Sequence, residues 1–333
     1  MFDKSLSDCI LKRIAVKESA SACFQQLPDN LDKVMKINFY GKELNAYKSA
    51  LHTHSTVSDG DFTPDEVIKV YQQANYDVLA FSDHHKANPV SSYDGRGMCL
   101  LSGIELHPKG PRDVIWHLLA LGVPEDFPGT YASAQEAIDA VRAVNGIIFC
   151  AHPNGYFSSY DILQLHGLSG IEVANTNGRF IGRESNETVW NELIAEGWHC
   201  PALGVDDMHS ACDFFGNWTV IAAENKEPAT ILQALADGNF YATQGPEFTH
   251  LSWKNGVFEA EFTEVVEAFV YGFPGLDIIA TPGFPTPGNA PKLTSLSCRP
   301  TENFRGVLRC RIRDAANRCA WSAPISFKTE DVQ

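Results

Sequence analysis

Two histidines stand two residues apart, His52 and His54, in SALHTHSTVSDGDFTPDE (49–66). On an extended strand that spacing points both imidazoles to one side. The spacing recurs at Asp207 and His209, in GVDDMHS. Between them lie His84 in FSDHH, Glu105 in SGIELH, His117 in IWHLLALG and His152 in CAHPNG, each in or beside a short apolar run. Asp59 sits in a Ser-Asp-Gly turn just after the first pair. Each residue alone has an ordinary explanation: a histidine satisfied in a core, an aspartate that caps a helix or shapes a turn. Together they are six of the eleven histidines, grouped with three carboxylates. Imidazole and carboxylate donors in combination suit Zn, Mn or Fe. Nine donors are too many for one ion, so the pattern predicts two or three divalent ions. Water on such ions loses its proton near neutral pH, and two ions can bridge that hydroxide and a phosphoryl oxygen.

For these residues to converge, the apolar runs must be strands that end at one place. Seven such runs are legible: 48–53, 77–82, 99–104, 114–121, 147–151, 170–174 and 201–205. Helical segments separate several of them. TPDEVIKVYQQA opens with Thr63 as N-cap, Pro64 at the first helical position and Glu66 as the partner of a capping box. SAQEAIDAVRAVNG repeats the signal with Ser133 and Glu136 and stops at Asn145-Gly146, and ETVWNELIAEG is a third helix. Strands alternating with helices predict parallel βα units, a barrel or a doubly wound sheet, with the ligand site at the carboxyl ends of the strands. His117 fits least well, because it falls inside its run.

The flanks differ in texture. Residues 1–45 read as an N-terminal helical extension, and 46–245 as the metal-binding barrel. From 246 to 333, FTHLSWKNGVFEAEF and GVLRCRIRDAANRCAWSAPISF alternate apolar and polar residues around Asn-Gly and Ala-Asn-Arg turns. They predict a small β-sandwich-like domain. PGLDIIATPGFPTPGNAPK, rich in Pro and Gly, reads as a surface loop within it.

Net charge is −15, which disfavours duplex nucleic acid and anionic membrane as partners. Bound ions would then supply the positive charge that an anionic substrate needs. Nine cysteines without a C-x-x-C pair, and no long apolar run, predict a reduced, cytoplasmic setting. No Walker-type loop, GxSxG elbow or Rossmann glycine fingerprint is present. Nothing in the sequence specifies an oligomeric state.

The motifs HTHSTVSDG, FSDHH, GIELH, WHLLALG, AHPNG and GVDDMH closely resemble, in order, those of the polymerase and histidinol phosphatase (PHP) family, over about 48–245. The resemblance implies a distorted (βα)7 barrel and a phosphoesterase with up to three Zn, Mn or Fe ions. Carried over by motif, the first ion takes His52, His54, Glu105 and Asp207. The second takes Glu105 as a bridge, with His117 and His152. The third takes His84 and His209, and Asp59 is the residue placed to complete it. Glu105, Asp59 and His209 are the implied catalytic groups; Asp59 or His209, when free of metal, could protonate the leaving group. The alternating strands after 245 and the RDAANRCAWSAPI ending are similar to the tail of stand-alone bacterial members. Two positions depart from the family pattern: His85, where many relatives have Asp, and Asp206, where Ser is common and which reads as a support for Asp207.

Asn175, Arg179 and Arg183, in EVANTNGRFIGRESN, are candidate substrate contacts, since an arginine at a barrel mouth can clamp phosphate. Glu172 reads as a support or as a polar residue of the barrel interior. His107, His166, His199 and His250 read as structural or surface residues. The expected activity is hydrolysis of a small phosphorylated substrate: a nucleotide or sugar phosphomonoester, a cyclic diester or a short oligonucleotide. One alternative is an amidohydrolase-type barrel, which also runs from H-x-H to Asp but usually bridges its metals with a modified lysine where Glu105 stands here. The other is a noncatalytic binding protein that uses the C-terminal β domain.

Overall fold

The computed structural model describes residues 35–275, 277–280, 290–300 and 306–326. β1 (Met35–Phe39) and β2 (Lys42–Ala50) form an antiparallel hairpin. There follow β3 (Val78–Phe81), β4 (Cys99–Leu106), β5 (Leu118–Leu121), β6 (Ile147–Cys150), β7 (Gly170–Asn175) and β8 (Ala202–Val205). Every residue of β3, β5, β6, β7 and β8 is buried, as continuous apolar strands require when both faces are covered. Among the described residues five α-helices pack outside: α1 (Pro64–Gln73), α2 (Ala134–Ala143), α3 (Ser159–Leu163), α4 (Glu187–Ala195) and α5 (Pro228–Ala236). The α1 capping box forms as its sequence predicts, with Thr63 and Glu66 satisfying each other's backbone N–H. Such a cap contributes about 1 kcal/mol. Helix α1 then buries Val67, Ile68, Val70 and Tyr71 against the sheet.

Hydrogen bonding links the strands in the order β2–β3–β4–β5–β6–β7–β8, and β9 (Trp218–Ala223) lies antiparallel against the other edge of β2. The sheet curls until its ends meet beyond β2 and β8. There Thr53 bridges Met208 in parallel, and the His54 N–H donates to the Met208 carbonyl at 2.9 Å. The result is a mixed α/β, barrel-type fold.

The expectation of purely parallel βα units needs correction. β5 runs antiparallel to both β4 and β6. A parallel return takes a crossover of about a dozen residues or more, usually a helix. The 107–117 connection carries only a 3-10 turn at Pro111–Asp113. The β3–β4 connection likewise carries only a 3-10 turn, at Val90–Ser92.

Of the expected helical extension, residues 1–34 lie outside the described residues. Residues 35–45 form β1 and the start of β2 instead of a helix. β1 is held from both sides, antiparallel to β2 and parallel to β11 (Phe248–Lys254). Ile37 and Phe39 point into the core, an alternation that serves a strand.

β10 (Phe240–Thr243) and β11 lead into β12 (Val257–Val265), β13 (Glu267–Phe273), β14 (Asp277–Ala280), β15 (Leu293–Cys298), β16 (Val307–Arg313), β17 (Cys319–Ser322) and β18 (Ile325–Ser326). From β11 onward these strands pair antiparallel with one another, and β17 also pairs with β10. The Asn255-Gly256 turn has both residues at positive φ, 52° and 71°, which suits a tight hairpin. The segment expected as one loop, 274–292, contains β14, while 281–289 lie outside the described residues. Phe248, Phe258, Val270 and Leu308 share one core with Ile37, Phe39 and Val220. Among the described residues, no helix is long and apolar enough to cross a membrane.

Candidate metal centre

His52 and His54 follow β2 directly and are fully buried. Glu172, on β7, takes one face of His52: its Oε1 lies 2.6 Å from Nδ1. That leaves His52 Nε2 facing inward, 3.3 Å from both Glu105 Oε2 and Asp207 Oδ1. His54 Nε2 lies 3.4 and 3.2 Å from the same two oxygens. Four donors from three strand ends therefore converge on one point.

Glu105, at the end of β4, turns its other oxygen to a second group. Oε1 lies 2.7 Å from His117 Nδ1 and 3.4 Å from His152 Nε2. The antiparallel course of β5 explains His117. Leu118 pairs with Leu106 and Cys150, so the start of β5 lies level with the ends of β4 and β6. His117 precedes the strand and reaches the same end of the barrel.

Asp59 Oδ1 lies 3.5 Å from both His84 Nε2 and His209 Nε2, and 4.0 Å from His54 Nδ1. Its turn is built by buried Asp83. That carboxylate accepts from Ser55 N and Oγ at 2.8 Å, from Ser58 N at 3.0 Å and Oγ at 2.6 Å, and from Asn88 Nδ2 at 2.6 Å. Gly60 closes the turn against the chain at His54, where an added Cβ would stand 2.7 Å from the carbonyl carbon. His152 and Asp207 sit at φ 26° and 52°, positions that non-glycine residues rarely take and that concentrate at functional sites.

The donor set fits divalent metal on a direct observation. Among the described residues, His52 Nε2, His54 Nδ1, His84 Nδ1, His107 Nε2 and Glu105 Oε2 are buried without a partner in hydrogen-bonding geometry. A buried polar atom left unpaired costs about 1–3 kcal/mol, so five at one place ask for a ligand. The electrostatics agree. Burial pushes the Glu105 carboxyl up, but the imidazoles of His52, His107 and His117 beside it outweigh that and hold it well below the usual carboxylate range. Asp207 is held down likewise, against burial, by His52, His54 and His152. Burial opposes charge on His152, yet Glu105, Asp207 and Glu172 raise it to about 9. For His54 burial wins, and its imidazole falls to about 4.

Two buried carboxylates hold the frame. Glu172 Oε2 accepts from the His152 N–H at 2.9 Å and from Asn175 Nδ2 at 3.0 Å. Asp206 accepts from Tyr71 Oη on α1 at 2.9 Å, from Thr176 Oγ1 at 2.8 Å and from the N–H groups of Phe215, Gly216 and Asn217. It thereby ties α1 and the loop before β9 to the strand end that carries Asp207. His85 turns away, with Nδ1 3.0 Å from the Gly129 carbonyl.

A cleft of about 220 Å³ opens at Glu105, lined by His84, His117, His152, Asp207 and His209 together with Tyr156, Ile181 and Arg183; the Tyr156 ring stands 6.1 Å from that of His152. Arg183 lies over the Tyr156 ring at 4.4 Å, in space that depends on Gly155, whose added Cβ would stand 2.7 Å from Arg183 Nε. Arg179 is turned toward the Cys212 carbonyl and does not line the cleft. Asn175 lines it but spends its Nδ2 on Glu172 and on Asp207 Oδ2 at 3.1 Å. The residue sequence reasoning missed is His107. Its Nε2 lies 3.7 Å from Glu105 Oε2 and its ring 4.1 Å from His117. The signal was available, since His107 stands two residues after Glu105, the spacing that singled out His52 and His54.

No family model and no curated protein matches the chain. Solved structures do. A two-domain protein from Bacteroides vulgatus containing a predicted PHP-like metal-dependent phosphoesterase aligns over 90% of this chain and 100% of its own, with TM-score 0.51 and 15% identity. An amidohydrolase from Chromobacterium violaceum aligns over 48% of this chain and 87% of its own, with TM-score 0.41 and 18% identity. The lesion-specific endonuclease EndoQ of Pyrococcus furiosus aligns over 58% of this chain and 56% of its own, with TM-score 0.41 and 13% identity. At these identities the likeness is one of fold, and the fold of this chain is that of the PHP-like metal-dependent phosphoesterase structure.

Proposed function

We propose that this protein is a metal-dependent phosphoester hydrolase that takes a small phosphorylated substrate into the cleft above Glu105. One observation carries the reading: donor groups that share Glu105 line one cleft together with Arg183. His52, His54, Glu105 and Asp207 would hold one divalent ion, Glu105, His117 and His152 a second, and Asp59, His84 and His209 a third. Zn, Mn and Fe all suit these donors. Such ions, when bound, supply Lewis-acid charge and a nucleophile at neutral pH.

The chain's own residues do the remaining work. Glu172 fixes His52 through Nδ1, so that Nε2 is the nitrogen offered to the centre. Arg183 offers its planar fork to a phosphate oxygen, and its seat over Tyr156 limits its motion. Tyr156 and Ile181 form an apolar wall for the part of the substrate beyond the phosphate. Asn175 holds Glu172 and Asp207 in place and leaves phosphate contact to Arg183. Asp59, 58% exposed, and His209 stand on the solvent side, where either, when free of metal, could deliver a proton to a leaving oxygen.

The cleft is smaller than the roughly 300–1,000 Å³ of drug-sized pockets, which favours a small phosphomonoester or compact diester. A net charge of −15 argues against duplex nucleic acid. Among the described residues no lysine lines the cleft, and Glu105 stands where an amidohydrolase would need one. Incubation of the full chain with Mn or Zn and a panel of sugar phosphates, nucleotides and cyclic diesters, read by phosphate release or by conversion of the diester, tests the reading. Turnover of at least one small phosphoester is expected. A metal-loaded chain inert to every member, beside an active control enzyme, contradicts it.

A further inference from the structure

His84 faces two ways. Its Nε2 lies toward Asp59 and His209, at 3.5 Å from Asp59 Oδ1. Its Nδ1 lies on the other side of the ring, 2.9 Å from Glu105 Oε2. On that second side stands His107, whose ring centroid is 4.4 Å from that of His84. His84, Glu105 and His107 each offer one ligand atom, all within 4.8 Å of one another. His84 Nδ1, Glu105 Oε2 and His107 Nε2 are all buried, and although the two nitrogens lie 2.9 and 3.7 Å from that oxygen they meet it outside good hydrogen-bonding geometry. Three buried ligand atoms that face one another without good hydrogen bonds form a donor set suited to a cation.

We infer that His84 Nδ1, Glu105 Oε2 and His107 Nε2 form an additional site for a first-row divalent ion, alternative to the one at Asp59 and His209. Two nitrogens and one carboxylate oxygen suit Zn, Co, Mn or Fe and leave positions open for water or substrate. The two sites exclude each other for a simple reason. A neutral imidazole carries one lone pair and one N–H, so His84 can ligate through one nitrogen at a time. An ion at Asp59 and His209 uses Nε2 and leaves Nδ1 protonated toward Glu105. An ion at His107 uses Nδ1 and turns a protonated Nε2 toward Asp59. Glu105 Oε2, which also faces His52 and His54, would bridge the second position to the deepest one. His84 is therefore a selector between an inner and an outer position for one ion.

The inference concerns ion placement within the centre proposed above, and its test reads binding without any substrate. The full chain and the double variant Asp59→Ala/His209→Ala are equilibrated with Co and their metal content is measured, alongside the triple variant that adds His107→Gln. Circular dichroism checks folding. The expected result is equal cobalt in the wild-type chain and the double variant, and one equivalent less in the triple variant. A double variant already one equivalent short, with His107→Gln changing nothing, overturns the inference. So does a triple variant that keeps the full content. If the triple variant does not fold, anomalous diffraction of the cobalt-loaded double variant decides: a peak bounded by His84, Glu105 and His107 is expected, and its absence refutes the site.

Discussion

Among the described residues, two clusters that bury charge do it in opposite ways. Where β16 meets α4, Arg309 is fully buried, with Nη2 2.6 Å from both Glu187 Oε1 and Asn191 Oδ1. Arg311 Nη1 adds a contact to Glu187 Oε2 at 3.3 Å, and the rings of Trp190 and Tyr271 cover the Arg309 guanidinium at 4.5 and 5.1 Å. Cation meets anion, and aromatic faces take what remains. At the barrel end, Glu105, Asp207 and Glu172 are surrounded by imidazoles, several of which present an unpartnered nitrogen. The first cluster carries its own counter-charge and locks a strand to a helix; Arg309 Nε and Nη1 and Arg311 Nε are left without hydrogen-bond partners, but these are N–H donors with no lone pair to offer a cation. The second is complete only with something positive among its lone pairs. Buried charge in this fold thus marks a metal site where the unpartnered atoms are imidazole nitrogens and carboxylate oxygens, and marks structure where they are guanidinium N–H groups beside their own carboxylate.

The comparison breaks most visibly at Glu105. Glu105→Gln is expected to lower kcat/KM by about 10³-fold, of the order lost when a key charge-stabilising group is removed. Its thermal midpoint without metal should fall little or rise, because a buried carboxylate is gone. A variant that keeps near-normal turnover would show that the shared donor is not central. Arg309→Met should do the reverse. Removing one partner of a buried pair costs about 3–5 kcal/mol of stability, read from the urea midpoint, while metal content stays unchanged. Loss of metal from that variant would mean that the two clusters are coupled.

Smaller effects sharpen the contrast. Glu172→Gln removes the charge that orients His52 and should weaken metal binding by roughly 10–100-fold, measured by competition with a chelating dye. A Glu172→Gln chain with unchanged affinity would assign Glu172 to packing alone. The subtlest expectation is the pH dependence of the metal-free chain. His54 has its folded pKa lowered to about 4, so the unfolded chain binds more protons between 4 and about 6.5, and stability rises with pH there. His152 is raised to about 9, so its contribution is complete below about 6.5 and is lost as pH climbs to 9. Metal-free stability should peak near neutrality and fall on the alkaline side, and added Zn should abolish the alkaline fall, because ligands bind metal deprotonated. A flat alkaline limb without metal would contradict the charge state assigned to His152.

Much of this was legible in the sequence, and for identifiable reasons. Strand-end donors two residues apart share a face, so His52 with His54 and Asp207 with His209 announce themselves. Apolar runs of four to eight residues lie where β2 to β8 form, and the Thr63 cap forms as its spacing predicts. Other features hid because they depend on contacts distant in sequence. The strand at 35–39 is fixed by pairing with β11, more than two hundred residues away. The reversal of β5 lies in the absence of a helix before it, a weak signal beside the apolar run itself. Glu172 and Asp83 look like any buried or turn-forming carboxylate until the groups they hold are in place. Arg179 and Arg183 carry the same side chain on one loop, and only the backbone's path sends one to the cleft and the other to Cys212.

One measurement reaches the central claim, that a metal centre built on Glu105 hydrolyses phosphoesters: release of nitrophenol from aryl phosphate mono- and diesters by the full chain, stripped by a chelator and then titrated with Mn or Zn, beside Glu105→Gln treated identically. The wild-type chain should be inactive when stripped and regain activity in step with ions bound, while Glu105→Gln stays near background at every metal concentration. Turnover that ignores the chelator, or that matches in both chains, would contradict it.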